Sequence, residues 1–588
     1  MEKNAEKSGK IFNWITLRRL LYFAKPHKTA FLGLVFLTIL AGALSPIRPY
    51  LIQLSVDKYM AEGDMGGLTN MALLMIGLLI LQSIAQYTQT YLSGWLGQTI
   101  IRDIRVKLYN HILSLKLKFF DNTQIGRLVT RNISDIETLS DVFSEGLASM
   151  AGDLLQLVFI VVLMFYTNWK LSLVSLSTFP LLIISTYVFK EKLKGAFNDA
   201  RIAVANLNAF VQEHVTGMNI VQIFGAEERE FKKFEVINQE HKRANIKSVL
   251  YYSVYFPVAE VIGAAGTGLL VWYGAKGVIA EEVTLGTLIA FIMYIAMFFR
   301  PIRAIADRFN TLQMGIVSID RILKLLDNND VIPETGVLSP VKLQGQIEFK
   351  QVWFAYNQEE WVLKNVSFSI KAGETVAFVG ATGAGKSSII NLLTRFYDVN
   401  QGEINIDNVP IQDYKIAALK RCIGVVLQDV FLFSGSIMNN ITLGNPEITA
   451  EQVKHAAELV GANKFIDNLP GGYNYPVMER GATLSVGQRQ LISFVRAMVY
   501  DPNVIVLDEA TSSVDSETEE LIQTAIEKLM AGRTSVIVAH RLSTIQKANQ
   551  IIVLDKGEVV EKGSHEQLLQ RNGHYAHLYQ MQFKHAEA

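Results

Sequence analysis

The residues GATGAGKS at 380–387 carry the plainest chemistry in the chain. A short apolar strand pattern, Glu374–Val379, runs into them, and an apolar helical pattern from Ile389 to Leu393 follows. Strand, glycine-rich loop and helix in this order match G-x-x-x-x-G-K-[ST], a phosphate-binding loop. Gly380, Gly383 and Gly385 let backbone N–H groups turn inward on phosphate oxygens. Lys386 brings a mobile point charge to the β- and γ-phosphates, and Ser387 offers a hydroxyl to Mg²⁺. Ala381, Thr382, Ala384 and Ser388 belong to the same nucleotide-binding set. The N-terminus of the following helix adds a favourable dipole. A bare motif match could equally be an ordinary glycine turn, so a second element has to decide.

That element is Asn503–Leu507, a buried-strand pattern ending in Asp508 and Glu509. Asp508 suits the Mg²⁺ shell through water, and Glu509 is placed to polarise an attacking water. An acidic pair capping a helix is the structural alternative; with both halves present, a nucleotide site is the stronger reading. A third element is LSVGQRQ at 484–490, with a helix after it. Ser485 reads as the N-cap, Gly487 allows close approach, and Gln488 joins them in a second anion site at a helix N-terminus. One nucleotide needs one cradle. A second phosphate site therefore suggests that it binds the γ-phosphate of ATP held by a different domain.

The elements that must position these residues differ along the chain. The 588 residues carry 55 basic and 55 acidic side chains, 19% are charged, and the mean hydropathy is +0.23. That composition argues against a purely soluble enzyme, and the zero net charge against a nucleic-acid binder. The single cysteine, Cys422, excludes an intramolecular disulfide and a Cys-based zinc site, and reads as a small buried residue. Apolar runs concentrate in 30–305. Six candidates reach the ~20 residues a span needs, at about 29–56, 68–97, 147–167, 171–189, 249–273 and 283–305. A polar turn at Asn168-Trp169-Lys170 joins the third and fourth. The first 28 residues are charged and show no signal-peptide pattern.

Charge gives the orientation. The segment 102–131 holds Arg102, Arg105, Lys107, Lys116, Lys118, Arg127 and Arg131, and 190–247 is similarly rich in Lys and Arg. The opposite side carries only Lys58, Lys170 and Lys276, one per loop. The long connections, both termini and the C-terminal domain are therefore expected in the cytoplasm. Ile101, Ile104, Leu108, Ile112 and Leu115 keep helical spacing past the second span, as do Val204, Leu207, Phe210 and Val211 past the fourth. Two helical arms are expected to project from the membrane. Ile11, Trp14, Leu17, Leu20 and Leu21 alternate with Arg18, Arg19 and Lys25, the pattern of an interfacial helix.

Together these features resemble the ATP-binding cassette (ABC) family, and within it a type I-like exporter half-transporter. The motifs carrying the likeness are the loop 380–387, Gln428, the signature 484–488, the Asp508-Glu509 strand end, Ser512-Ser-Val-Asp515 and His540. The resemblance implies a six-helix transmembrane domain followed by an α/β P-loop cassette. The expected divisions are an interfacial helix at 1–28, a membrane domain at 29–320, a linker at 321–345 and the cassette at 346–581. It further implies that Tyr356, ending the strand Gln346–Tyr356, stacks on adenine, and that Gln428 senses Mg²⁺ and the arms. His540 would contact the γ-phosphate, and Asp515 would cross the dimer interface. Phe119–Gly126 and Glu213–Phe224 resemble the two intracellular loops whose tips dock near Gln428, and Glu479-Arg480-Gly481 resembles an exporter-specific loop.

One position departs from the family pattern. The third signature residue is usually Gly and here is Val486. In paired exporters one composite site is often weak, so Val486 slightly favours a heterodimer over a homodimer; tolerated variation is the other reading. Cargo leaves weaker marks. Gln82, Gln86 and Gln89 share one face of the second span, Glu260 lies within the fifth, and Arg300 and Arg303 near the inner end of the sixth. Interhelix hydrogen bonding and snorkelling are their structural alternatives. Pro46 and Pro49 are expected to kink the first span, and Arg48 between them is a candidate partner for an outer carboxylate. The leading expectation is an ATP-hydrolysing exporter or flippase of hydrophobic or amphipathic substrates, dimeric and working by alternating access. The alternative is an ATP-gated channel or regulator that pumps nothing.

Overall fold

The computed structural model describes residues 18–19, 22–143, 148–334, 336–357, 360–508, 516–539 and 541–582; the side chains of 148, 300, 302–313, 516, 517 and 582 lie outside that description. Two compact units emerge, one within Met1–Leu113 and Ile125–Asn328, the other within Ser114–Gln124 and Asn329–Ala588.

The first unit is helical. Its elements are α1 (Lys28–Leu54) and α2 (Met65–Ser114); then, beyond the short α3 (Leu117–Asp121) that belongs to the other unit, α4 (Ile125–Thr130), α5 (Ile136–Asp141), α6 (Ala148–Thr167), α7 (Trp169–Leu176), α8 (Phe179–Thr216), α9 (Met218–Ile223), α10 (Glu227–Ile279) and α11 (Leu285–Leu326). Among the described residues, five helical stretches are long and apolar enough to cross a membrane: Lys25–Met60, Met65–Ser114, Ser149–Thr167, Trp169–Thr216 and Glu227–Ile279. The sixth expected span falls on α11, whose apolar part among the described residues is Leu285–Phe299.

The arms are continuous with the spans. α2 runs unbroken past the expected membrane edge, and Ile101, Ile104 and Leu108 are buried as their spacing requires. Along α8, by contrast, Val204 and Val211 stay exposed. The fourth span breaks once, between α7 and α8, where Pro180 in the first turn of α8 brings no N–H. Asn168 caps α7 by accepting from Leu171 N at 3.1 Å. α1 continues through Pro46 and Pro49, both buried, into a π turn at Ser55–Met60. Arg48 is exposed and has no carboxylate partner among the described residues. α11 extends to Leu326, beyond the expected linker start at 321. Of the expected interfacial helix, Ile11, Trp14, Leu17, Leu20 and Leu21 lie outside the described residues. Arg19 pairs with Asp327 through two hydrogen bonds of 2.8 and 2.7 Å.

The second unit is α/β. Its strands are β1 (Ile347–Phe354), β2 (Leu363–Ile370), β3 (Thr375–Val379), β4 (Gln401–Ile406), β5 (Val409–Pro410), β6 (Ile423–Val426), β7 (Gly435–Ser436), β8 (Pro476–Val477), β9 (Val504–Asp508), β10 (Thr534–Val538), β11 (Gln550–Asp555) and β12 (Glu558–Gly563). An antiparallel sheet runs β2-β1-β4-β5, β7 pairs with β8, and the main sheet runs β12-β11-β3-β10-β9-β6. In the main sheet all neighbours are parallel except β12. Its strands are buried on both faces. Val376 and Phe378 join one core and Ala377 and Val379 the other; Val504 and Val506 alternate with Ile505 and Leu507 in the same way. Such strands read as continuous apolar runs, which is why β3 and β9 stand out in the sequence.

Candidate active site

The phosphate-binding loop leaves the C-terminal end of β3 and enters the helix α12 (Lys386–Leu393). Gly380, Gly383 and Gly385 all take positive φ. A side chain is excluded at two of them: a Cβ on Gly380 would stand 2.2 Å from Leu554 O, and one on Gly385 2.6 Å from Leu363 Cδ2. Lys386 is buried, and its Nζ donates to Gly380 O at 2.7 Å and Ala381 O at 3.0 Å, holding the ammonium within the loop. Burial pushes its pKa down, and the nearby Asp508 carboxylate acts against that shift. Ser387 is exposed. Ser388 is buried, its hydroxyl 3.1 Å from that of Tyr356. A glycine loop around a buried cation, with a hydroxyl beside it, has the donor set of a polyphosphate and cation site.

Strand register brings the remaining elements to the same edge. Val538 of β10 pairs with both Phe378 of β3 and Asp508 of β9, and Leu507 pairs with Val426 of β6. The C-terminal ends of β3, β10, β9 and β6 therefore stand side by side. In open parallel sheets this is where ligands bind. Asp508 ends β9, and Gln428 lies exposed two residues past β6. Glu509, Ser512, Asp515 and His540 lie outside the described residues. Tyr356 lies two residues beyond the end of β1; its hydroxyl also accepts from Asn391 Nδ2 at 3.0 Å, and its ring meets Phe354 and Tyr397 edge-on.

The signature residues open helix α13 (Val486–Val499). Ser485 caps it in a reciprocal box: Gln488 N donates to Ser485 Oγ at 3.2 Å, and Ser485 N donates to Gln488 Oε1 at 3.0 Å. Gly487 is buried, and Val486 is 43% exposed at the first helical position. Arg489 was not singled out by spacing. Its Nη1 donates to Leu484 O at 2.9 Å and Gly481 O at 3.4 Å, bracing the loop in which Arg480 holds a left-handed φ of 56°. Strain of this kind persists where surroundings over-determine it.

Two family models match the chain: the ABC transporter transmembrane region over residues 31–302, and the ABC transporter domain over 363–512. The chain belongs to the ABC transporter family. Its relatives include an ABC transporter ATP-binding protein of Bacillus subtilis, YknV, 39% identical over 577 residues, covering 98% of this chain and 96% of that one. An ATP-dependent lipid A-core flippase of Syntrophus aciditrophicus is 35% identical over 568 residues, covering 96% and 94%. A protein of Staphylococcus aureus, named provisionally for multidrug export, is 36% identical over 583 residues, covering 96% and 100%. This ABC transporter is a multi-pass integral membrane protein of the plasma membrane, an ATPase coupled to export, built as a half-transporter of a kind that generally dimerises.

Other contacts of the transporter escape motif reasoning. Tyr397 OH donates to Asp121 of α3, and Lys116 Nζ lies 3.3 Å from Asp398 Oδ2. Lys116 N donates to Asp330 O at 2.9 Å, and Ile332 N to Ser114 O at 3.0 Å, so the first tip and the chain entering the cassette pair by backbone. Nothing in the spacing of Tyr397 or Asp398 marks them. Among the cargo candidates, Gln89 Nε2 donates to Thr38 Oγ1 of α1 at 3.1 Å, an interhelix bond. Gln82 is half-buried, and Gln86 and Glu260 are exposed on the surface of the chain. The side chains of Arg300 and Arg303 lie outside the described residues. Cys422 is buried, as expected, and burial raises its thiol pKa.

Proposed function

We propose that the cassette holds MgATP at the C-terminal edge of its parallel strands, and that two half-transporters share their nucleotides face to face. Tyr356 packs on adenine. Lys386 meets the β- and γ-phosphates within the loop Gly380–Ser388. Ser387, Gln428 and, through water, Asp508 hold Mg²⁺. Glu509 polarises the attacking water and His540 contacts the γ-phosphate. Ser485, Gly487 and Gln488 close on the ATP of the partner. The observation that supports this most is the register that ranks Phe378, Val538, Asp508 and Val426 along one sheet edge, with Lys386 buried beside it.

The cargo in this reading is hydrophobic or amphipathic. The names of the relatives support it, as does the exposure of Glu260 and Gln86 on spans of the single chain. Polar groups against lipid are costly, so these two are better accommodated in a cavity or against a second chain. The second tip docks on the partner's cassette beside the Gln428 loop. Ile220, Ile223 and Phe224 are 59%, 74% and 76% exposed, and Leu427, Phe431 and Phe433 around Gln428 are exposed as well.

Lys386→Ala tests the nucleotide site: MgATP affinity should fall at least tenfold, and unchanged affinity would remove the assignment. Val486→Gly tests the dimer, with a heterodimer slightly favoured. The β-branched side chain stands where a helix N-terminus should approach a phosphate. In a homodimer both sites receive it, and the glycine variant should raise ATPase activity at saturating MgATP. In a heterodimer total activity should change little. A large drop would contradict both versions.

A further inference from the structure

The cytoplasmic run after the first tip contains a cluster that nucleotide binding does not use. Between α4 and α5, Arg131–Asp135 closes as a π turn, an arrangement that is rare and concentrated at functional sites. Asp135 ends the turn and is buried. Its Oδ1 accepts from Ser318 Oγ at 2.9 Å and faces Arg321 Nη1 at 3.4 Å, both on α11. Arg321 and Arg131 stand near this carboxylate, and Arg127 stands near Arg131. Burial pushes the Arg131 pKa down, Arg127 and Arg321 add to that, and Asp135 opposes it. Asn132 Oδ1 is buried without a hydrogen-bond partner, so the turn is kept at a cost.

The backbones also approach closely here. A Cβ on Gly315 of α11 would lie 2.1 Å from Val142 Cγ2 and 3.3 Å from Val142 Cβ. Ile136, Leu139, Ile319 and Ile322 are buried along the two packed segments. The ion pair is buried on the Asp135 side alone, Arg321 being 54% exposed, and a partly solvated pair adds little to stability. A buried charge at the end of a π turn instead fixes one register. Position in the chain says what that register is for. The run from Ile125 follows directly on the first tip, and α11 ends at Leu326, just before the chain enters the cassette unit at Asn329.

We propose that Asp135 is a positioning residue for coupling: it pins the first arm to the end of α11, so that displacement received at the tip and at the linker reaches the spans as one movement. This rests on the transporter working by alternating access.

The test uses the full-length transporter with Cys422→Ala, in nanodiscs. Backbone hydrogen exchange in the outer loops 61–68 and 279–286 is compared with and without MgATP and vanadate. Wild type must show a nucleotide response; if it does not, alternating access fails rather than the pin. Asp135→Ala should keep ATP hydrolysis within threefold and lose at least four-fifths of the outer-loop response. Val142→Cys with Gly315→Cys stands close to the Cβ separation of about 3.5–4.5 Å that a disulfide requires. Oxidising that pair in the Asp135→Ala background should restore at least half of the response, and reduction should abolish it again. With Asp135 intact, the same disulfide should leave the response unchanged. A full response in Asp135→Ala, failure of the disulfide to restore it, or a reversible block by the disulfide with Asp135 intact would each overturn the proposal. If Asp135→Ala does not fold, the disulfide with Asp135 intact decides.

Discussion

The two cytoplasmic tips are built alike and finished differently. Each is a helix of five or six residues, Leu117–Asp121 and Met218–Ile223. The first is held by its own chain, through Tyr397, Asp398 and backbone bonds to Asp330 and from Ile332. The second presents Ile220, Ile223 and Phe224 with most of their surface uncovered. Apolar groups of that size, gathered on one turn, mark an interaction site. The contrast teaches that the first tip is completed within its own unit, whereas the second, in the function proposed above, is left for a second half-transporter. Under that proposal coupling would depend on dimerisation even if each cassette folds independently.

The largest expected effect is at the second tip. Ile223→Asp with Phe224→Asp should lower ATP-driven transport at least tenfold while the melting temperature of the detergent-solubilised protein shifts by less than about 2 °C, since exposed side chains carry little folding energy. A large loss of melting temperature would break the comparison, because it would mean the tip is packed within its own chain. At the first tip the balance should reverse. Tyr397→Phe removes the donor to Asp121, a half-exposed bond worth about 1 kcal/mol, and should destabilise the cassette measurably in urea while leaving MgATP affinity unchanged. The smallest effect belongs to Lys116→Met. Its pairing with Asp398 is partly solvated and should contribute less than about 1 kcal/mol. A salt-sensitive loss of coupling in that variant would sharpen the picture, by showing that the ion pair orients the tip.

Legibility in the sequence followed how local each cause is. The phosphate loop, Ser485 as a cap and the apolar strand ending at Asp508 are set by neighbours a few residues away, and the structure places them where the pattern requires. The first arm was equally readable, because Ile101, Ile104 and Leu108 pack inside one unit and keep their period. The second arm is helical as its spacing requires, to Thr216, although Val204 and Val211 on that stripe stay exposed in the single chain. Tyr397, Asp398, Arg489 and Asp135 carry no local pattern at all. Tyr397, Asp398 and Asp135 acquire their contacts from residues distant in sequence, and Arg489 from the irregular loop just before its own helix, which periodicity does not foresee. The helix α11 runs on to Leu326, past the residue 321 at which a linker is expected.

The central claim is that ATP hydrolysis drives cargo across the membrane through paired cassettes. Its most direct test is ethidium movement in sealed proteoliposomes containing the intact transporter, measured against a pre-set opposing gradient, with wild type and Glu509→Gln side by side. Wild type should accumulate dye uphill only with MgATP, and Glu509→Gln should bind MgATP with unchanged affinity yet accumulate none. Dye that moves only downhill, opened by MgATP equally in wild type and in Glu509→Gln, would contradict the account and identify a nucleotide-gated pathway instead.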